Sequence, residues 1–204
     1  MLIHLKNKKF IGDLSLQDAD ILAQYASQSK TILEFGSGGS TQILSQSGVE
    51  KIISIETDPQ WIAKTQKKLQ TLGTEHKVIF LDYKEQFDQQ FDMIFVDGVD
   101  HLRRQFAINT WRYLKTGGVM LFHDTRRFQD FQNAAWVAQL YYTEISRLDV
   151  NTSASDGQVS NISVIHKKIS EPYVNWNETE GKPLWSYGSS EPPTTDLWEY
   201  NVKV

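Results

Sequence analysis

Short apolar runs alternate along most of the chain with longer segments of helical periodicity. Five runs rich in Ile, Val and Phe predict β-strands over residues 31–35, 51–55, 77–81, 91–96 and 119–123. The segments beside them predict helices over residues 15–27, 41–47, 60–72, 102–114 and 128–140. Strands that alternate with helices form mainly parallel sheets with helices on both faces. The pattern therefore predicts an α/β fold of the doubly wound, Rossmann-like class.

The pattern changes after residue 140. Residues 141–150 and 159–166 predict two further strands that form an antiparallel hairpin at one sheet edge. The sheet then has seven strands with an antiparallel last strand, and the domain spans residues 1–166. Residues 167–204 contain four prolines and three tryptophans, which disfavours regular structure there. Because exposed tryptophan is unfavourable, we expect this extension to pack on the domain, on the partner subunit of a homodimer or over a pocket.

Composition narrows the classes of function. The 204 residues are 40% hydrophobic and 23% charged, as is typical of a globular domain with a sizeable core. The 21 basic and 25 acidic residues give a net charge of −4, which disfavours nucleic acid as a partner. No apolar run approaches the roughly 20 residues of a membrane span, and the first residues lack the apolar stretch of a signal peptide, so we expect a cytoplasmic protein without a membrane partner. The chain has no cysteine, so any metal must be held by oxygen or nitrogen.

A glycine-rich turn follows the first predicted strand. Residues 34–41 are Glu-Phe-Gly-Ser-Gly-Gly-Ser-Thr and lead into a helix, at the place where α/β sheets bind nucleotides. No Gly-Lys-Ser/Thr follows, and Thr41 replaces the third glycine of the dinucleotide motif, so a pyrophosphate site is disfavoured. Glu34 ends the strand, and a carboxylate there favours a cationic ligand group over a phosphate.

Two further strand ends carry acidic residues. Glu56 ends the second strand 20 positions after Gly36, the spacing at which a carboxylate binds the hydroxyl pair of a ribose. Asp82 and Tyr83 follow the third strand and suit the amino group and the ring of an adenine. The three strand ends together predict a ligand that carries a ribose, an adenine and a cationic group.

This constellation resembles the class I S-adenosylmethionine-dependent methyltransferases, in which Glu34-x-Gly36-x-Gly38 matches the first motif. The resemblance covers residues 15–166. It implies S-adenosylmethionine as cofactor, whose sulfonium agrees with the charge of Glu34, and methyl transfer to a hydroxyl of a small-molecule acceptor. The residues that it implies for cofactor binding are Glu34, Gly36, Ser37, Gly38, Ser40, Thr41, Glu56, Asp82, Tyr83 and Asp97.

The fourth and fifth strands end in Asp-Gly-Val-Asp-His, residues 97–101, and His-Asp-Thr, residues 123–125. These motifs look closest to a bacterial group that includes sugar and natural-product O-methyltransferases. Two interpretations stay open. In one, Asp97 and Asp124 bind a divalent cation such as Mg2+, as in the catechol and caffeoyl-CoA type, which carry Asn where this chain has Thr125. In the other, His101 or His123 is a neutral general base and no metal is needed. We expect a catalytic site of His101, Asp97 and Asp124.

Several neighbouring residues have two interpretations. The arginine pairs at 103–104 and 126–127 predict either an anion site for a phosphorylated or carboxylated acceptor or a solvated helix face. Trp61 packs in the core or covers the cofactor, and His123 is expected to be half-buried and outside the chemistry. Three other functions remain as alternatives: a non-catalytic assembly protein on this fold, an aminopropyltransferase and a nicotinamide-dependent oxidoreductase, the last disfavoured by Glu34 and Thr41.

Overall fold

The computed structural model describes residues 10–83 and 86–168. These residues form a seven-stranded sheet in the order β3-β2-β1-β4-β5-β7-β6. The strands are β1 (Thr31–Phe35), β2 (Lys51–Ile55), β3 (Val78–Leu81), β4 (Phe91–Val96), β5 (Leu114–Phe122), β6 (Ile145–Asp149) and β7 (Ser163–Lys167). The α-helices are α1 (Leu16–Ala26), α2 (Gly39–Gln46), α3 (Pro59–Leu72), α4 (Arg103–Thr110) and α5 (Phe128–Leu140). Short 3-10 turns lie at Glu75–Lys77, Asp100–Leu102, Trp111–Tyr113 and Tyr142–Glu144.

Strand directions confirm the predicted fold class. The five strands β1 to β5 pair in parallel, whereas β7 is antiparallel to both of its neighbours, β5 and β6. The predicted hairpin is therefore present, with β6 at the sheet edge. The extension predicted from residue 167 lies outside the described residues from 169 onward.

Local sequence signals set the helix ends. Ser15 and Asp18 form a reciprocal capping box at the start of α1. Asp58 caps α3 and is followed by Pro59, whose fixed φ suits the first helical position. Gly73 ends α3 in a left-handed conformation that other residues adopt at a cost. The described helices include none that combines the length and apolar character needed to cross a membrane.

Alternation along the strands fills two cores. Leu33 and Phe35 of β1 lie in the core that contains residues of α4 and α5. Ile32 lies in the opposite core, with residues of α1 and α2. Because side chains alternate between sheet faces, Glu34 shares the face of Ile32. This placement decides what Glu34 can contact.

Two predicted boundaries were wrong at β5. The helix expected over 102–114 ends at Thr110, and β5 begins at Leu114 instead of residue 119. Gly117 and Gly118 suggested a turn but lie inside the strand. A Cβ on Gly118 would come within 2.7 Å of the Asp92 carbonyl oxygen, so glycine there permits close approach to β4.

The connection from β3 to β4 differs from the other crossovers between parallel strands. Residues 82, 83 and 86–90, the part of it that the structure describes, contain no helix. Ile79 of β3 is 44% exposed. A cavity of about 580 Å³ lies beside this connection, with a largely aromatic lining that includes Phe35, Tyr83, Phe87, Phe106, Tyr113 and Tyr141.

Candidate active site

The carboxyl ends of β1 and β4 approach each other closely at two glycines. Gly36 has a φ of +85°, and a Cβ on it would lie 2.5 Å from the Gly98 nitrogen. Gly98 itself has a φ of +74°. Gly36 therefore requires glycine on two grounds, the left-handed backbone and the missing space. Gly98 requires it for the backbone alone, since a Cβ there would lie 3.2 Å from the Gly36 nitrogen, a tight contact that a small shift relieves. The contact joins the predicted cofactor turn to the turn that carries Asp97.

Glu34 lies beneath the glycine-rich turn and does not line its open side. The side chain is fully buried, and its carboxylate accepts hydrogen bonds from Ser40 Oγ at 2.5 Å, Thr41 Oγ1 at 2.7 Å and Ser54 Oγ at 2.7 Å. Burial raises its pKa to about 7, against the lowering effect of the three hydroxyl donors. The structure thus gives Glu34, Ser40 and Thr41 a supporting position, where we had expected side-chain contact with a cofactor. The strand alternation explains this correction.

Glu56 connects the ends of β1 and β2. Its Oε2 accepts from the Ser37 backbone nitrogen at 3.1 Å and from Ser37 Oγ at 3.2 Å. Its Oε1 accepts from the backbone nitrogens of Thr57 and Asp58 at 2.8 and 3.0 Å. The carboxylate is partly exposed at the edge, so it remains within reach of a hydroxyl pair. The same contacts hold the glycine-rich turn in place.

Trp61 and the chain before α1 cover the turn. The indole nitrogen of Trp61 donates to the Ser37 carbonyl. A Cβ on Gly39 would lie 2.8 Å from the Ile11 carbonyl oxygen and 3.0 Å from Phe10 Cβ. Of the two interpretations of Trp61, the structure favours a position over the turn. The segment around Ile11 was not identified as part of this region from the sequence.

Asp82 and Tyr83 separate at the end of β3. Asp82 is exposed. Tyr83 turns toward the α4 face, where its ring meets that of Phe106 edge-on with centroids 4.7 Å apart. Its hydroxyl accepts from Asn109 Nδ2 at 3.4 Å. Tyr83 thus lines the aromatic cavity described above, while Asp82 stays at the carboxyl edge.

Arg103 joins the acidic residues that follow β4 and β5. Its Nη2 lies 2.6 Å from Asp97 Oδ1, and its Nη1 lies 2.8 Å from Asp130 Oδ1 and 3.3 Å from Asp124 Oδ2. The arginine is buried, and although burial disfavours its charge, the carboxylates of Asp97 and Asp130 raise its pKa. The sequence had suggested a solvated helix face or an anion site, and the structure corrects this for Arg103. Four aspartates near the arginine pairs in the sequence, at positions 97, 100, 124 and 130, were the available signal.

His123 lies between two carboxylates below this cluster. Its Nδ1 is 3.2 Å from Asp97 Oδ2, and its Nε2 is 3.5 Å from Asp18 Oδ2. Burial opposes the charged ring, but the carboxylates of Asp18 and Asp97 outweigh it and raise the pKa of His123 to about 10. Burial likewise opposes ionisation of Asp97, yet His123 and Arg103 hold its pKa below the usual value. The position of His123 between Asp18 and Asp97 therefore favours the charged ring over a neutral base.

Asp124 and Asp97 come together as expected, whereas His101 stays apart. Asp124 has a φ of +59°, which is unusual for a residue with a side chain. It pairs with Arg127 Nη2 at 2.6 Å as well as with Arg103. His101 is exposed in the 3-10 turn Asp100–Leu102. In the described residues, the acidic and imidazole groups that converge are Asp97, His123 and Asp124.

The side chains of Asp97, His123 and Asp124 are the candidate ligands for a divalent cation. One ligand atom each from Asp97, His123 and Asp124 lies within 4.8 Å of the others. However, Asp97 and Asp124 already pair with Arg103, and Asp124 pairs with Arg127 as well. Thr125 Oγ1 is engaged with Asn151 Oδ1 and Ser163 Oγ, both at 2.8 Å. The residues present therefore do not fit Mg2+.

Comparisons with known proteins agree with the observed fold. The model of a methyltransferase domain family matches residues 33–125. A search of curated proteins finds no match. The fold is similar to that of the O-methyltransferase from Bacillus cereus in complex with S-adenosylhomocysteine, at 17% identity and TM-score 0.61, over 76% of this chain and 83% of that one. It is also similar to the O-methyltransferase TomG from Streptomyces achromogenes, involved in tomaymycin synthesis and in complex with S-adenosylmethionine, at 15% identity and TM-score 0.60, over 77% and 83%.

A S-adenosylmethionine-dependent O-methyltransferase from Thermotoga maritima is similar at 16% identity and TM-score 0.60, over 83% of this chain and 71% of that one. At such identities the likeness shows the fold alone. The domain match over residues 33–125 agrees with this fold.

Proposed function

We propose that this protein is a methyltransferase that uses S-adenosylmethionine to methylate a hydroxyl of a small molecule. One observation carries the proposal: the methyltransferase domain match, residues 33–125, begins in β1 and ends just after β5. This stretch contains the glycine-rich turn, Glu56, Asp82 and the group of Asp97, His123 and Asp124. All of them lie at the carboxyl edge of one parallel sheet, where α/β folds bind ligands.

The cofactor assignment has support from the backbone. Gly36 and Gly38 have φ values of +85° and +154°, which glycine adopts at the least cost, so these residues set the path of the turn at the end of β1. Partly exposed Glu56 is assigned to the ribose hydroxyls, and exposed Asp82 to the adenine amino group. Glu34, Ser40 and Thr41 are assigned to holding the turn from below, through the hydrogen bonds between them.

The reaction requires little of the protein beyond orientation and proton removal. When bound, S-adenosylmethionine supplies a methyl group on a positively charged sulfur, which keeps the bonding electron pair as the methyl leaves. Residues of the chain must hold the acceptor oxygen in line with that bond and take its proton. We assign proton removal to His101, because it is exposed at the edge four residues after Asp97. Asp97 and Asp124 are assigned to orienting the acceptor.

Ligand-dependent unfolding tests the assignment. Tm is measured with S-adenosylmethionine, S-adenosylhomocysteine or NADH, alongside transfer of labelled methyl to a panel of sugar, phenolic and carboxylated alcohols. A ligand at 100 times its Kd stabilises by about 2.7 kcal/mol, so a clear rise in Tm is expected with both S-adenosyl compounds. A rise with NADH alone contradicts the proposal and favours an oxidoreductase. Transfer of an aminopropyl group to a polyamine from decarboxylated S-adenosylmethionine, assayed in parallel, with no methyl transfer to any acceptor, favours the aminopropyltransferase.

A further inference from the structure

Arg103 fills the position between the carboxylates where a divalent cation would have to lie. The side chain starts from the first residue of α4 and is 4% exposed. It contacts Asp97 after β4, Asp124 after β5 and, within α5, Asp130. A single buried cation therefore bridges four elements of the fold. Oxygen ligands brought together in this way are what a hard cation such as Mg2+ would otherwise need.

The guanidinium differs from a metal ion in two respects. It is covalently attached, so it cannot be removed by a chelator or exchanged. Its planar N–H groups are directed at carboxylates: Nη1 toward Asp130 and Asp124, Nη2 toward Asp97 and Asp100, at 2.6 to 3.3 Å. Arg127 adds a second guanidinium on Asp124 Oδ2 at 2.6 Å. The two guanidinium groups thus offset two of the four negative charges of Asp97, Asp100, Asp124 and Asp130, and they occupy oxygens that a divalent cation would need.

We infer that Arg103 permanently replaces a divalent cation at this edge, so that methyl transfer by this protein needs no metal. Arg103 is a positioning residue that orients Asp97 and Asp124. The inference about activity rests on the proposed function, whereas the inference about metal binding does not. It also concerns the acceptor: a metal ion can bind two neighbouring oxygens of a diol, but this guanidinium is occupied by carboxylates. The acceptor is therefore not held by metal chelation.

The first test uses the wild-type protein and Mn2+ as probe. Mn2+ binding is measured by electron paramagnetic resonance, and Tm is measured with Mn2+, Mg2+ or EDTA. We expect no saturable binding in the micromolar range and no change in Tm. Where methyl transfer is detected, EDTA should leave its rate unchanged. Saturable Mn2+ binding that Asp97→Asn abolishes would overturn the inference, whether or not the protein proves to be a methyltransferase.

The second test removes the guanidinium. Arg103→Gln should fold less stably but gain a Mn2+ site, so that saturating Mn2+ raises its Tm by roughly 5 °C or more. Adding Asp97→Asn should abolish that gain. Arg147→Gln is the matched control, because Arg147 also pairs with an aspartate, at 2.9 Å from Asp149, but is 62% exposed in β6. The control should show no response to Mn2+.

Each outcome of the Arg103→Gln experiments either supports or overturns the inference. If the Arg103→Gln protein folds but its Tm does not change with Mn2+, the claim that the guanidinium occupies a cation position is overturned. Partial recovery of methyl transfer by Mn2+ in that variant would support it, since a merely structural arginine would not be replaced by a metal. If Arg103→Gln does not fold, the combination with Asp130→Asn removes one unpaired buried carboxylate and is tested in the same way. If neither folds, the wild-type measurements decide.

Discussion

At the scale of single residues, strand alternation divides the acidic groups of the candidate site into two kinds. Glu34 points into the α1 and α2 face and binds three hydroxyls, whereas Glu56, one residue beyond β2, turns to the open edge. The sequence spacing treated both as ligand contacts. The pleat of β1 puts Glu34 on the face of Ile32, inside the core that includes α1 and α2, whereas Glu56 lies beyond the end of its strand.

Replacement of Glu56 by Gln is expected to weaken binding of S-adenosylmethionine by roughly tenfold or more. The amide loses charge-assisted hydrogen bonds to the ribose and also holds Ser37 less well. Calorimetric titration measures the change in Kd. Glu50→Gln is the control, because Glu50 precedes β2 and its side chain is 67% exposed. An unchanged Kd in Glu56→Gln would show that the ribose assignment is wrong.

Replacement of His101 by Ala is expected to lower kcat by roughly 100-fold or more and to leave the Kd of the cofactor within about twofold. General base catalysis contributes rate enhancements of this order. His76→Ala, another exposed histidine, lies in the turn before β3 and should behave as the wild type. Steady-state kinetics with a fixed acceptor measure the effect. Full activity in His101→Ala would remove this residue from the mechanism.

At the scale of elements, the boundaries that depend on local sequence were predictable. The boundaries that depend on pairing with a neighbouring strand were not. β1, β2 and β4 have the predicted bounds, since each is an apolar run with polar ends. The early start of β5 depends on pairing with β4, beginning with Leu114 opposite Phe91. The ion pair between Arg103 and Asp130 likewise depends on how α4 and α5 pack. No spacing within the chain indicates either contact.

The glycine contact between β1 and β4 leads to a stability prediction. Gly36→Ala is expected to lower the free energy of unfolding by roughly 3 kcal/mol, because the new methyl meets Gly98 in addition to the strain of a positive φ. Gly157→Ala isolates the second effect, since Gly157 has a φ of +80° with nothing within 4 Å of its Cβ position. That control should lose only about 1 kcal/mol. Urea denaturation compares them, and equal losses would contradict a steric role for the contact.

At the scale of the whole molecule, two buried groups make stability depend on pH in the same direction. Burial raises the pKa of Glu34 from 4.5 to about 7, and the carboxylates around His123 raise its pKa from 6.5 to about 10. In each case the folded protein binds the proton more tightly. The stabilisation from Glu34 is lost as pH rises from about 4.5 to 7, and that from His123 as pH rises from about 6.5 to 10.

The lowered pKa values of Asp18 and Asp97 affect stability at acidic pH. Their stabilisation is present above a pH near 4 and is lost as the acids become protonated. We therefore expect maximal stability in mildly acidic solution, with a decline toward pH 10. Chemical denaturation at a series of pH values measures this profile. Glu34→Gln should flatten the part between pH 5 and 7, and a decline of unchanged steepness there would contradict the high pKa of Glu34.

Asp124 shows what this arrangement costs. Its left-handed backbone, with a φ of +59°, is one that glycine adopts freely and an aspartate adopts at a cost on the order of 1 kcal/mol. Selection for folding stability alone would therefore favour glycine at this position, provided that the arginines could be satisfied by Asp97 and Asp130. On the proposed function, retaining a carboxylate there trades stability for activity. We would expect libraries selected only for thermostability to lose Asp124 early, and with it the transfer reaction.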